Sequence, residues 1–175
     1  MNNTPYGISG QSLYLPQFEV SLEQWCEWTK TPWDKIRKVV GNSFRIPGPH
    51  EDAYTMAANA VLRLINQYDI PSHQIGYLAL GTESSTDNAV GAVIVKGLVD
   101  EGLKAQGRAS LPRQCEVPEI KQACLGGVYA LKAALRYLAF DGQGKQAIVV
   151  SSDIAAYQLG STGEQTQGAG AVAQW

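Results

Sequence analysis

The 175-residue chain sets 14 Lys and Arg against 16 Asp and Glu, a formal charge of −2, and 45% of its residues are hydrophobic. That balance excludes a disordered polymer and gives no electrostatic footprint for nucleic acid or for anionic lipid. No apolar run approaches the ~20 residues that span a bilayer, and MNNTPYGISG has neither the basic flank nor the apolar core of a secretory leader, so a cytoplasmic protein is expected.

The length allows about one domain with a real core. Its elements read in chain order as follows. Gly7 to Leu15 is a first strand, closed by Pro16. Ser21 is placed to cap a short helix carrying Leu22, Trp25, Cys26 and Trp28. Asn42 to Pro49 reads as a loop. A long helix is predicted from about His50 to Tyr68, with Tyr54, Ala57, Val61, Leu64, Ile65 and Tyr68 on its buried face. Ile75 to Leu80 is a nearly continuous apolar run, as in a strand buried on both faces. Asn88 to Leu103 reads as a helix whose core side is Val90, Val93, Ile94, Gly97 and Leu98. Cys115 to Lys121 is a candidate strand weakened by Pro118, which cannot donate to a ladder. Gln122 to Phe140 reads as a helix with the stripe Leu125, Val128, Leu131, Leu135 and Leu138. Strands follow at Gln146 to Ser151 and Gly168 to Ala173, the latter ending at Trp175 as if the fold were cut midway. Alternation of this kind predicts an α/β layer around a largely parallel sheet.

Three cysteines, Cys26, Cys115 and Cys124, occur at scattered spacing with no CxxC, and His50 and His73 lie far from all of them in sequence. This pattern supports neither a disulfide framework nor a metal site. On residue type alone each is first a small core hydrophobe. Cys124 has a distinctive context, Gln122-Ala123-Cys124-Leu125-Gly126-Gly127, where a strand hands over to a long helix. A helix N-terminus there lowers a thiol pKa and offers N–H groups to an oxyanion, and Gly126 and Gly127 permit close approach of a substrate or another backbone.

Glu83 directly follows the buried strand, at the crevice where α/β sheets place ligands. A partly desolvated carboxylate there can move protons near neutral pH, although by itself Glu83 reads first as an ordinary loop or capping glutamate. Asp153 reads first as a structural carboxylate bonded to backbone N–H groups. Tyr157 and the Gly160–Gly170 loop, with Gly163 and Gln167, can line a pocket. The loop holds neither a GxxxxGK[ST] phosphate cradle nor a dinucleotide fingerprint.

Four strings together, Gly81-Thr82-Glu83-Ser84, Gln122 to Gly127, Ser152-Asp153-Ile154-Ala155-Ala156-Tyr157 and Gly163 to Ala173, resemble the 3-hydroxy-3-methylglutaryl-CoA synthase family in order and spacing. The resemblance covers almost the whole chain. It implies a thiolase-like fold, of which residues 1–175 form the N-terminal βαβαβαββ half, with a mixed, largely parallel sheet and a buried central helix. It places the family's nucleophile on Cys124 and its glutamate acid/base on Glu83. Gly126, Tyr157, Gly163 and Gln167 are expected to contact the substrate. The family's third catalytic residue, a histidine, belongs to a C-terminal half and has no counterpart here. Leu125 stands where many members carry an aromatic residue.

The implied reaction condenses an acetyl thioester with a β-ketoacyl thioester through an acetyl-cysteine, with no metal and no cofactor beyond the coenzyme A or acyl carrier protein thioesters themselves. A homodimer is expected, because the apolar face after Cys124 needs cover. Two alternatives stay open at this level: a condensing enzyme resembling ketoacyl synthase III, and a non-catalytic half-domain that serves as a dimerisation or partner module.

Overall fold

A computed structural model describes residues 6–175, so the reading of the N-terminus as leaderless falls partly outside the described residues. The strands are β1 (Gln11–Tyr14), β2 (Phe18–Ser21), β3 (Ser43–Ile46), β4 (Ile75–Gly81), β5 (Glu119–Ile120), β6 (Gln146–Ala155) and β7 (Gly168–Gln174). The helices are α1 (Leu22–Thr29), α2 (Trp33–Ile36), α3 (Ala53–Gln67), α4 (Gly91–Ala105) and α5 (Gly126–Ala139).

The main sheet has five strands in the order β1-β7-β6-β4-β5. β4 runs parallel to both β5 and β6, whereas β7 is antiparallel to β6 and to β1. Only β7 therefore runs against the others, which makes the sheet mixed and largely parallel. β4 is buried along its full length because it is covered on both faces. Leu78 and Leu80 face a core shared with α3, α4, Ile148 and Val150. Tyr77 and Ala79 face α5 with Ala147 and Val149.

α3 is the buried helix of this layer. Met56, Ala57, Ala60, Val61, Leu64 and Ile65 are all fully buried, and each of the larger side chains contributes about 2 kcal/mol through area removed from water. It starts later than the periodicity predicts. Asp52 accepts from the Thr55 N–H at 2.7 Å while the Thr55 hydroxyl receives the Asp52 N–H at 2.8 Å, a reciprocal capping box. His50 is left in the preceding turn.

Four sequence expectations need correction. Asn42–Pro49 is not a simple loop: Ser43–Ile46 is β3, which pairs antiparallel with β2 in a separate two-stranded ribbon over Leu22, Trp25 and Cys26. α4 turns the opposite face to the core. Gly91, Ala92, Val95, Val99 and Leu103 are buried, while Val90, Val93, Ile94 and Leu98 are exposed. α5 likewise packs by its small residues Gly126, Ala130 and Ala134, which let the helix lie close to the sheet, and Leu125 and Val128 point outward. The edge segment before it is a ladder only at Glu119–Ile120. Upstream it still follows β4, with the Leu78 N–H donating to the Glu116 carbonyl at 2.8 Å and the Leu80 N–H to the Pro118 carbonyl at 3.0 Å. Pro118 can accept but not donate, which interrupts the strand.

No helix among the described residues is long and apolar enough to cross a membrane.

Candidate active site

Three chain segments converge at the carboxyl end of β4, and glycine lets them do so. A Cβ on Gly81 would lie 2.5 Å from the Gly127 nitrogen and 2.6 Å from the Gly126 carbonyl carbon. A Cβ on Gly127 would lie 2.1 Å from the Ser151 Oγ on β6. The leading end of α5 is thereby seated directly on β4 and β6. The close approach anticipated for Gly126 and Gly127 is an approach of backbone and Ser151.

The turn that joins β5 to α5 delivers Cys124. Ala123 adopts a left-handed φ of +43°, and the Leu125 and Gly126 N–H groups close back onto the Gln122 and Ala123 carbonyls at 3.0 Å each. The helix consequently begins at Gly126 instead of Gln122. Cys124 is exposed at this turn, whereas Cys26 and Cys115 are buried, and burial pushes the Cys115 thiol up to about 11.

Glu83 follows β4 by two residues. Its backbone is fixed by Asp153 of β6, whose Oδ1 accepts from the Glu83 N–H at 2.7 Å, the Ser84 N–H at 3.2 Å, the Ser84 hydroxyl at 2.9 Å and the Thr82 hydroxyl at 3.1 Å. Asp153 thus organises the start of the loop, as its reading as a structural carboxylate anticipates. The Glu83 carboxylate lies close enough to the Cys124 thiol to be the largest influence on it.

That contact decides the electrostatics. The Glu83 carboxylate, first by the hydrogen bond and then by its charge, holds the Cys124 thiol above the ordinary cysteine range, with further increments from desolvation and Asp153. The Cys124 N–H, turned toward its own sulfur, opposes them. A lowered thiol pKa, expected from the helix end, is outweighed by the adjacent carboxylate. Of the backbone donors near the sulfur, those of Leu125 and Gly126 are spent in the turn.

Cys124 opens onto a cavity of about 290 Å³ lined by Gly81, Thr82, Ala123, Val128, Leu131, Ser151, Asp153 and Gln174. Val128 and Leu131 make one side apolar, and Thr82, Ser151 and Asp153 make the other polar. Thr82 follows the carboxyl end of β4, the position that singles out Glu83, whereas Ser151 lies in the middle of β6. Gln174, at the end of β7, carries no such signal in the sequence.

None of the four residues assigned to substrate binding lines this cavity. Gly126 is buried against the Ile120 carbonyl, and Gly163 lies beneath the half-exposed Tyr157 ring, where a Cβ would come within 2.9 Å. Gln167 follows a short 3-10 turn, Glu164–Thr166. The loop containing that turn is tied to α1 by Glu164, which accepts from Trp25 Nε1 at 2.9 Å and from the Gly160 N–H at 2.6 Å. Among the described residues no three of His, Cys, Asp and Glu gather to hold a metal ion.

Comparison with known proteins places this geometry in a lineage. A family model described as the hydroxymethylglutaryl-coenzyme A synthase N terminal matches residues 4–175. The chain is 32% identical over 168 residues to a hydroxymethylglutaryl-CoA synthase of Enterococcus faecalis, covering 95% of this chain and 41% of that protein. It is 31% identical over 173 residues to that of Saccharomyces cerevisiae, covering 97% of this chain and 33% of that protein. The solved structure of MvaS in complex with 3-hydroxy-3-methylglutaryl coenzyme A superposes with a TM-score of 0.86 at 36% identity, over 96% of this chain and 38% of that one. The chain thus spans about two fifths or less of the length of these relatives. With the family model matched across nearly its whole length and with this thiolase-like α/β fold, the chain belongs to the hydroxymethylglutaryl-CoA synthase family.

Proposed function

We propose that this chain supplies the nucleophile and the acid/base of an acyltransferase that condenses an acetyl thioester with a β-ketoacyl thioester. The observation that carries this reading is the nearness of the Glu83 carboxylate to the Cys124 thiol, which itself opens onto a cavity. The proton of the Cys124 thiol has an acceptor in Glu83. As the sulfur bonds to the acetyl carbonyl carbon, that proton moves to the carboxylate and from it to the sulfur of the departing donor thiol, leaving an acetyl-enzyme. We take the Cys124 N–H as the candidate donor to the developing oxyanion. Once deprotonated again, Glu83 removes a methyl proton from the acetyl group, and the resulting carbon nucleophile adds to the ketone of the second thioester. Glu83 returns the proton to the new alkoxide, and water releases the product from Cys124.

This role for Glu83 is what separates the reading from a decarboxylating condensation of the ketoacyl synthase type, which needs no base at that carbon. We assign the reaction no resident cofactor, since coenzyme A or an acyl carrier protein enters as part of the substrate. We further infer that the molecule is cytoplasmic and homodimeric, and that the additional length of its relatives corresponds to a second half of the fold. That half would cover the outward face of α5 at Leu125, Val128 and Tyr129, all exposed here. Gly126, Tyr157, Gly163 and Gln167 remain our candidates for contact with the thioester or its carrier.

The test uses the longest natural polypeptide that carries residues 1–175, incubated with acetyl-CoA and then acetoacetyl-CoA. Intact mass should show one acetyl group, lost in Cys124→Ala. Glu83→Ala, which loses the acceptor of the thiol proton, should slow acetylation and lose condensation by about 100-fold or more. Undiminished acetylation of Cys124→Ala, or full condensation by Glu83→Ala, would overturn the assignment.

A further inference from the structure

The loop between β4 and α4 is held at both ends. Asp153 fixes residues 82–84, as described above. The far end is held by the strand that leads into the nucleophile turn. Glu119 of β5 has a fully buried side chain. Its carboxylate accepts from the Ser85 hydroxyl, and from the Gly91 N–H at 2.5 Å. The second contact requires glycine, because a Cβ on Gly91 would lie 2.7 Å from Glu119 Oε2 and 2.5 Å from the Tyr54 ring. Two residues on, Lys121 Nζ donates to the Ser85 and Asp87 carbonyls at 3.2 Å each and lies 3.8 Å from the Glu119 carboxylate.

A carboxylate taken wholly out of water is costly unless its hydrogen bonds are met. Here they are met by the loop that carries Glu83. The same five-residue stretch, Glu119-Ile120-Lys121-Gln122-Ala123, runs directly into Cys124. One short segment therefore grips the acid/base loop and delivers the sulfur.

We propose that Glu119, assisted by Lys121, is a positioning residue that holds the Glu83 carboxylate against the Cys124 thiol. The inference rests on the assignment of Cys124 and Glu83 above and adds the element that sets their separation. Glu119 touches neither substrate nor sulfur and acts only through Ser85, Gly91 and the backbone between them.

The thiol itself reports the positioning, with no turnover needed. The groups facing it that bear charge are Glu83 from the β4–α4 loop and Asp153 from β6, and both hold its pKa up. Displacing Glu83 therefore lets the thiol ionise at lower pH. The experiment is the pH profile of Cys124 alkylation by iodoacetamide, read by mass spectrometry on the Cys124 peptide of the longest natural polypeptide. Glu83→Gln should shift the profile to lower pH. Glu119→Gln should shift it most of the way to the Glu83→Gln profile, and the double variant should shift no further than Glu83→Gln alone. If Glu119→Gln lowers the melting temperature and leaves the wild-type profile unmoved, Glu119 is only a cap for α4 and the proposal fails. If Glu83→Gln itself leaves the profile unmoved, the Glu83–Cys124 contact is absent in solution, and the catalytic assignment fails with it. Should Glu119→Gln not fold, Ser85→Ala, which deletes one hydroxyl from the same contact, decides: a shift toward lower pH supports the clamp and an unmoved profile overturns it.

Discussion

Ala123 holds a left-handed φ of +43° immediately before the candidate nucleophile. For a residue with a Cβ that conformation costs about 1–2 kcal/mol. Replacing alanine by glycine at an ordinary helical position destabilises by about 1 kcal/mol, because glycine gains freedom in the unfolded chain. At residue 123 the two effects oppose each other and the strain term is the larger. Ala123→Gly should therefore leave the melting temperature unchanged or raise it, and a clear fall in differential scanning calorimetry would show that the turn is not strained. The same residue explains what was hidden in the sequence. Gln122-Ala123-Cys124 carries helix formers and reads as the first turn of α5, since alanine gives no sign of a left-handed bend. Cys124 and Glu83 were legible nonetheless, because a strand-to-helix junction and a strand carboxyl end are visible in the apolar pattern. Their contact was not, since it depends on Gly81 and Gly127 letting β4 and α5 touch across 46 residues of sequence.

At the scale of elements, α4 shows the limit of periodicity. Its sequence carries two apolar stripes. Val90, Val93, Ile94 and Leu98 form one, and Ala92, Val95, Val99 and Leu103 form the other. Spacing alone does not rank them. The choice is made by size and by the helix entrance: Glu119 and Tyr54 pack onto Gly91, and Ala92 beside it is fully buried, which turns the second stripe inward. Val99→Ala removes two buried carbons at a fully buried site and should cost about 2 kcal/mol in urea unfolding of this chain. Val93→Ala, at a side chain 53% exposed, should stay within about 0.5 kcal/mol of the parent. The reverse order would mean that α4 is rotated from the position described. The β2–β3 ribbon escaped for a different reason. Strands of four residues with one buried side chain between them offer too few alternations to stand out from a loop.

At the scale of the molecule, the α/β layer with its largely parallel sheet followed from the alternation of strands and helices, but the polar ties between distant segments did not. Three of them share one chemistry. Glu51 accepts from the Tyr14 hydroxyl at 2.5 Å and the Gly48 N–H at 2.6 Å, joining β1 to the entrance of α3. Asp87 accepts from the Tyr54 hydroxyl and the Val90 N–H, joining α3 to α4. Glu164 accepts from the Trp25 indole and the Gly160 N–H, joining α1 to the β6–β7 loop. Each carboxyl is held below its usual range chiefly by the first-named side-chain hydrogen bond and then by the backbone one. A folded-state pKa lower than the unfolded one means that the native state binds fewer protons. Its stabilising contribution is complete above the unfolded value, about pH 4, and is lost as pH falls through the lowered folded values. The phenols of Tyr14 and Tyr54 are displaced upward, by the Glu51 hydrogen bond in the first and by burial ahead of Asp87 in the second. Their contribution is complete below about pH 10 and is lost as pH rises through the raised folded values. The melting temperature should thus be level between about pH 5 and 9 and fall on both sides. Glu51→Gln with Glu164→Gln keeps the volume and removes two of the three displaced acids. In that variant the melting temperature at neutral pH should drop and its further decline into acid should be shallower than in the parent. A decline of unchanged steepness would assign acid unfolding to groups other than these three ties.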